Sequence, residues 1–414
     1  MTAISRTIDA IWKMEAARII GGLARRVGDV GLAEDLAQDA LIAALEQWPS
    51  AGIPANPGAW LAMTARHKGL DRLRRDTNFR RKLAEIGQEQ DIFGEAEPPA
   101  EAAQTIQDDV LRLIFVACHP VLAHDAQLAL TLRIVCGLTT AEIARAQLAP
   151  ETTIQQRIVR AKRKLADSGV GFRDLAPDEY RTRLDAVLAV IYLIYNEGYA
   201  ASSGSTYLRL DLTEEALRLG RMLAALIGDD SEVHALLALM ELQASRTRAR
   251  TGADGTPVSL PEQNRGLWDR LQIGRGLKAL DTSRTLSGAP GPYYVQAAVA
   301  ACHARAPTPE ATDWPQIAAL YGLLAEMTAS PVVRLNRAVA AGMAHGADVG
   351  LQELAPLLTE PALQTYPSLQ AAHGELLFRA GKSTEARLAF EAAAALTGNA
   401  PERRALLRRA AACG

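Results

Sequence analysis

The sequence predicts an all-α protein. Apolar residues recur at helical spacing along almost the whole chain, and no run of alternating Val, Ile and Thr is long enough to form a sheet. The interruptions are Pro/Gly-rich segments of the kind that end helices. With 414 residues, 49% hydrophobic and 22% charged, the chain has the composition of a globular protein and length enough for about three domains. The longest uninterrupted apolar run, Ala186 to Tyr195, is about half of what a bilayer crossing needs, and Arg6 and Asp9 stand where a signal peptide would be apolar. A cytoplasmic protein with no membrane contact is expected. Cys118, Cys136, Cys302 and Cys413 are far apart, without a CxxC pair or a His at metal spacing. They read as reduced, buried thiols, and no metal or cofactor is expected.

The elements follow in order. Helical periodicity begins near residue 8 and is broken at Trp48 to Gly58 (WPSAGIPANPG), which reads as a loop. A first domain is therefore placed at 8–82. An acidic linker at 83–107 includes the Pro-rich stretch Gly94 to Ala103, and a second domain spans 108–168. After Gly169-Val170-Gly171 and Pro177, a long helical region fills 178–414, interrupted at Arg250 to Pro261 and at Gly288 to Pro292. Leu184 to Tyr195 is nearly all apolar, more than one helix stripe needs, and should be buried on several sides. Within this region the stretches around 337–357 and 372–392 are similar at an offset of thirty-five residues, with Ala-His-Gly346 falling on Arg-Ala-Gly381. That is close to the tetratricopeptide period, and GELLFRAGKSTEARLAFEAAAAL reads as one such helix-turn-helix unit.

Charge is segregated. Residues 60–82 hold eight Lys and Arg against two acids, Asp71 and Asp76, whereas 83–109 hold eight acids and no Lys or Arg. Arg157, Arg160, Lys162, Arg163 and Lys164 form a second basic block.

Three segments carry candidate chemistry. In Leu138 to Leu165, Thr139 and Glu142 have the spacing of a capping box, Leu148-Ala149-Pro150 breaks the helix, and a second helix starts near Glu151. This is the layout of a DNA-binding helix-turn-helix. A rotation of about 100° per residue puts Ile154, Ile158, Ala161 and Leu165 on one apolar stripe. Thr152, Thr153, Gln156, Arg160 and Arg163 then point away, with Gln155 and Arg157 on the flanks, as groups able to read base edges and phosphates. The alternative is a helical hairpin with a solvated face. In Leu32 to Trp48, Asp35, Gln38, Asp39 and Glu46 share a face with Ile42 among them, while Leu36, Ala40, Leu41, Ala43 and Leu45 cover the rest. This outlines a protein-binding surface, and equally a solvated acidic face. In Ala59 to Arg75, Thr64, His67, Lys68, Asp71, Arg74 and Arg75 form a polar face. Trp60 reads either as a core residue or as a base-stacking one, and Arg66 as a structural ion-pair former.

The order AEDLAQDAL, loop, AWLAMTARHKGLDRLRR, acidic linker, LTTAEIA and TTIQQRIVRAKRKL resembles an RNA polymerase sigma factor of the extracytoplasmic-function type over residues 10–168. The resemblance implies sigma region 2 at 8–82 and sigma region 4 at 108–168. It implies that Asp35, Gln38, Asp39, Ile42 and Glu46 dock on core RNA polymerase. It further implies that Asn56, Trp60, Thr64, His67, Lys68, Asp71, Arg74 and Arg75 engage the melted minus-10 strand. Thr152, Thr153, Gln155, Gln156, Arg157, Arg160 and Arg163 would read the minus-35 element in promoter double-stranded DNA, with the linker running toward the RNA exit channel. His67 stands where the family usually has Asn, which bears on minus-10 base preference.

The long tail is similar to that of the subgroup with a C-terminal tetratricopeptide-like extension, whose signature Ile194-Tyr195-Asn196-Glu197-Gly198-Tyr199 resembles. NEGYAASSG reads as a helix end at Asn/Gly followed by small residues. Asn196, Glu197 and Tyr199 then either cap a helix in the core or make an interdomain or ligand contact. A non-enzymatic sigma factor with its own regulatory domain is expected, with the tail contacting the sigma domains within the chain. A polymerase-independent helix-turn-helix regulator with a tetratricopeptide effector domain is the alternative. An enzyme finds no support, because no nucleophile-base spacing or phosphate loop is present.

Overall fold

The computed structural model of the chain describes residues 3–75, 108–147, 149–169, 171–172, 177–201, 203–204, 206–286 and 288–414. The linker 83–107 lies outside them. The described residues form helices joined mostly by short turns, with a longer segment of 3-10 turns between Ala244 and Arg270 and one two-residue parallel pairing, Ser203–Gly204 against Gly398–Asn399. The chain divides into two compact units, Met1–Val190 and Ile191–Gly414.

The first unit starts with α1 (Ala3–Val27), α2 (Val30–Ala51) and α3 (Pro57–Arg75). Asp29 caps α2 by accepting from Leu32 N at 2.9 Å. Contrary to the loop expected from Trp48, α2 continues through Pro49 to Ala51 and ends at Gly52, whose φ is 85°. Trp48 explains the extension. Only 1% exposed, it packs edge-on against Trp60 of α3, with ring centroids 5.3 Å apart, and so anchors the otherwise exposed last turn of α2 to α3.

Helices α4 (Asp109–Ala117), α5 (His124–Ile134), α6 (Thr140–Ala146) and α7 (Glu151–Asp167) follow. Asp108 caps α4 by accepting from Val110 N and Leu111 N. All of Val110, Leu111, Leu113, Ile114, Phe115, Val116 and Ala117 are buried, so α4 has no solvent stripe of ordinary width. Its surroundings include the start of α8 (Pro177–Tyr199), where buried Arg183 donates to Phe115 O at 3.0 Å.

The second unit contains the end of α8, then α9 (Leu210–Leu226), α10 (Ser231–Ala244), α11 (Arg270–Thr285), α12 (Pro292–Arg305) and α13 (Trp314–Met327). It closes with α14 (Pro331–His345), α15 (Ala347–Leu354), α16 (Pro367–Arg379), α17 (Ser383–Leu396) and α18 (Ala400–Ala411). The expected repeat is visible as two helical hairpins, α14–α15 and α16–α17. In each, the first helix ends at the glycine aligned by the thirty-five-residue offset, Gly346 with φ 105° and Gly381 with φ 76°, a conformation that strains any residue with a Cβ. Leu184, Val187, Leu188, Val190, Ile191, Ile194 and Tyr195 are all 5% exposed or less, so α8 is buried on more than one side.

The helix end expected at Asn196 and Gly198 falls later. The chain does not leave helix at Asn196 or Gly198; α8 runs through both to Tyr199. Gly198 is required for close approach instead, because a Cβ there would stand 2.5 Å from Thr213 N and 2.9 Å from Arg209 O.

Candidate functional site

The helix-turn-helix is built from local rules. Thr139 and Glu142 form the reciprocal capping box: Glu142 N donates to Thr139 Oγ1 at 3.2 Å, and Thr139 N donates to Glu142 Oε2 at 2.7 Å. Pro150 precedes α7, whose inner stripe of Ile154, Ile158, Ala161 and Leu165 is buried. Opposite this stripe, Thr152, Gln155, Gln156, Arg160 and Arg163 are exposed, and Thr153 is half-buried. Arg157 differs from the other two arginines. It donates to Gln147 Oε1 at 3.0 Å and pairs with Asp125 at 3.1 Å, so it ties α7 to the preceding turn and to α5.

On α2, Asp35, Ile42 and Glu46 are exposed, while Gln38 and Asp39 are half-buried. Ile42 is 50% exposed and Leu45 43%, so the surface has two apolar side chains among its acids where one was expected. Asp35 lies 3.6 Å from Lys162 Nζ of α7. Its neighbour Glu34, outside the polar face read from the sequence, is 3% exposed and serves as the hub between α2, α5 and α7. Arg133 Nε donates to its Oε1 at 3.3 Å, and Lys162 pairs with its Oε2. An acid beside Asp35 and off the apolar stripe is the only sign of this in the sequence.

Asn56 caps α3 through its Oδ1, accepting from Ala59 N at 3.0 Å. His67 is exposed, and Thr64, Lys68 and Trp60 are half-buried, with Trp60 held against Trp48. The side chains of Asp71, Arg74 and Arg75 lie outside the described residues.

In the second unit, Tyr199 accepts from Arg246 at its hydroxyl (2.7 Å) and from Arg250 at its carbonyl. Glu197 stands 3.9 Å from Arg209, and Asn196 is half-buried on α8. The four cysteines are buried, and burial pushes the Cys118 thiol up to about 12. Among the described residues no helix is long and apolar enough to cross a membrane, and no group of three His, Cys, Asp or Glu side chains is placed to hold a metal.

Family models match three separate stretches of the chain. Sigma-70 region 2 matches residues 12–79, Sigma-70, region 4 matches 112–165, and a family of unknown function, DUF6596, matches 183–284. An uncharacterized protein, R00370 of Rhizobium meliloti (strain 1021), is 41% identical over 388 residues, covering 92% of this chain and 90% of that protein. The probable ECF RNA polymerase sigma factor SigI of Mycobacterium tuberculosis is 25% identical over 174 residues, 42% of this chain and 59% of SigI. No solved structure matches.

Proposed function

The chain belongs to the extracytoplasmic-function RNA polymerase sigma factors, in a form with a C-terminal extension, and we propose that it binds core polymerase through α2 and reads both promoter elements. On this reading, residues 8–82 bind polymerase and the melted minus-10 strand, and 83–107 are the linker. Residues 108–168 bind minus-35 DNA, and 178–414 regulate the process from within the chain. The observation that carries the proposal is the exposed row Gln155, Gln156, Arg160 and Arg163 over a fully buried stripe on α7, the second helix of a pair whose first helix, α6, is opened by a closed capping box. Arginine can pair bidentately with guanine and the amides with adenine, so this row supplies base readout and phosphate attraction together. On α2, exposed Ile42 and Leu45 between Asp35 and Glu46 give an apolar centre with an acidic rim, suited to a basic protein surface. Initiation then consists of binding and strand separation, with no covalent step assigned to this chain.

The test is reconstituted transcription with core polymerase and a promoter library, using the wild-type chain and Asp35→Lys combined with Gln38→Ala. The double variant should keep its helical content and lose co-purification with core polymerase, because charge reversal at a complementary interface is costly. Wild-type co-purification would refute the α2 assignment.

A further inference from the structure

The segment after α10 holds an unusual concentration of positive charge. Arg246, Arg250 and Arg265 lie close together, Arg250 and Arg265 being 6% and 7% exposed, and every acceptor assigned to them is neutral. Arg250 donates to Tyr199 O and Tyr207 Oη. Arg265 donates to His303 O, Ala306 O and Thr312 Oγ1. Arg246 donates to Tyr199 Oη alone. The buried acid nearest in sequence, Glu241, is taken by Arg221 and Arg275. Exposed Glu310 acts on Arg265 from a distance, but among the described residues no carboxylate pairs directly with any of the three, and guanidinium charge removed from water without a direct counter-ion is costly.

A second observation points to what is missing. Three buried donors in the same neighbourhood have no acceptor: the Tyr195 hydroxyl, on a fully buried ring, the Trp268 indole N–H, on a residue 3% exposed, and Arg265 Nε. They are grouped around Arg246. Its guanidinium carbon lies 5.9 Å from the Tyr199 ring centre and 5.8 Å from that of Trp268. Tyr195 stacks on Tyr199 at 5.6 Å, and Arg265 sits 4.7 Å from the Trp268 ring centre. Orphan donors and uncompensated cations ask for the same thing, a group that accepts several hydrogen bonds and carries negative charge. Arg246 is only half-buried and has donors to spare, so it connects the cluster to solvent. His303, held neutral by burial and by Arg246 and Arg265, adds no further positive charge.

We propose that this cluster is a binding site for a small oxyanion, a carboxylate or phosphate group, held by the Arg246 fork with the Tyr195 hydroxyl and Trp268 N–H as further donors. It lies within the stretch matched by the family of unknown function, and it gives Tyr199 a definite role: its hydroxyl and carbonyl fix the directions of Arg246 and Arg250. The proposal does not depend on how α2 or α7 is used.

The test is calorimetric titration of the full-length protein with inorganic phosphate and, separately, malonate, against sodium chloride at matched ionic strength. Wild-type protein should give a saturable heat with at least one of the two. The responding anion says whether the source is a phosphate or a carboxylate compound. Arg246→Met, which keeps side-chain length and removes the charge, should weaken binding at least about tenfold. Should Arg246→Met not fold, Tyr195→Phe decides in its place: it is nearly isosteric, removes only an unpartnered hydroxyl, and should weaken binding at least about threefold. Saturable binding lost in the deciding variant supports the site. No saturable binding of either anion, or equal affinity in the deciding variant, overturns it.

Discussion

Replacing Glu34 with Gln removes the one negative charge that joins α2, α5 and α7, and the cost can be worked from its surroundings. Breaking a buried ion pair by removing one partner typically costs about 3–5 kcal/mol, because the remaining charge is left in a poor environment. The Glu34 side chain is 4% exposed, which argues for that range, but those of Arg133 and Lys162 are 28% and 22% exposed. Each also keeps another partner: Arg133 donates to Leu138 O at 3.2 Å, and Lys162 lies 3.6 Å from the Asp35 carboxylate. Glutamine further retains an oxygen for Arg133. These terms bring the expected loss down to about 2 kcal/mol. The assay is urea unfolding of the full-length protein and of the three variants of a double-mutant cycle, Glu34→Gln, Lys162→Met and the pair. Because the two side chains touch, the cycle should return a coupling of about 1 kcal/mol or more. Raising the salt should change it little, since Glu34 is shielded from counter-ions. A loss below about 0.5 kcal/mol for Glu34→Gln, or zero coupling, would refute the hub.

Thr139→Ala opens the capping box and should cost about 1 kcal/mol in urea unfolding; wild-type stability would mean that the reciprocal hydrogen bonds contribute nothing. Lys162→Met removes the cation beside Asp35, so core polymerase should be retained at least as well as by the wild-type chain in a pull-down, and weaker retention would count against Asp35 as a docking residue. Burial, with the charges of Arg246 and Arg265, lowers His303 to about 4 from 6.5. The unfolded chain therefore binds the extra proton between these values, and the stability from neutral His303 is lost as pH falls from about 6.5 toward 4, by at most about 3 kcal/mol. Unfolding midpoints of His303→Gln should vary less across that window than those of the wild-type chain, and identical slopes would remove His303 as the cause. Arg160→Ala should weaken minus-35 binding by about 1–3 kcal/mol with little change in the unfolding midpoint, and a variant that destabilises the fold without weakening DNA binding would reverse that assignment.

What can be read in the sequence is what depends on near neighbours. The stripe Ile154, Ile158, Ala161 and Leu165 follows from helical period, and the Thr139–Glu142 box from a spacing of three residues. The turn glycines Gly346 and Gly381 follow from an internal alignment. Glu34 is hidden because its arginine partner is ninety-nine positions away. A carboxylate in an amphipathic helix has the same local pattern whether it faces water or two half-buried cations. Gly198 misleads for a related reason: a glycine near a run of small residues resembles a helix stop, and only Thr213 and Arg209 pressing on it from another segment show that it is a contact point. The arginine cluster is likewise assembled from α8, the end of α10 and residues 265–268, so no single window contains it.

These long-range contacts also narrow which basic residues of α7 are available to DNA. Periodicity puts Arg160 and Arg163 on the outward face and Arg157 on its flank, and the fold separates them further by their partners. Arg157 is bound to Asp125 and Gln147, and Lys162 faces Glu34 and Asp35, so both spend their charge holding α7 in place. Arg160 and Arg163 are exposed, and Gln155 and Gln156 stand beside them. Phosphate attraction and base readout should therefore divide unequally along the helix. Loss of Arg160 or Arg163 should act on the DNA complex, whereas loss of Arg157 should act first on the angle at which α7 is presented, and through it on every contact the helix makes.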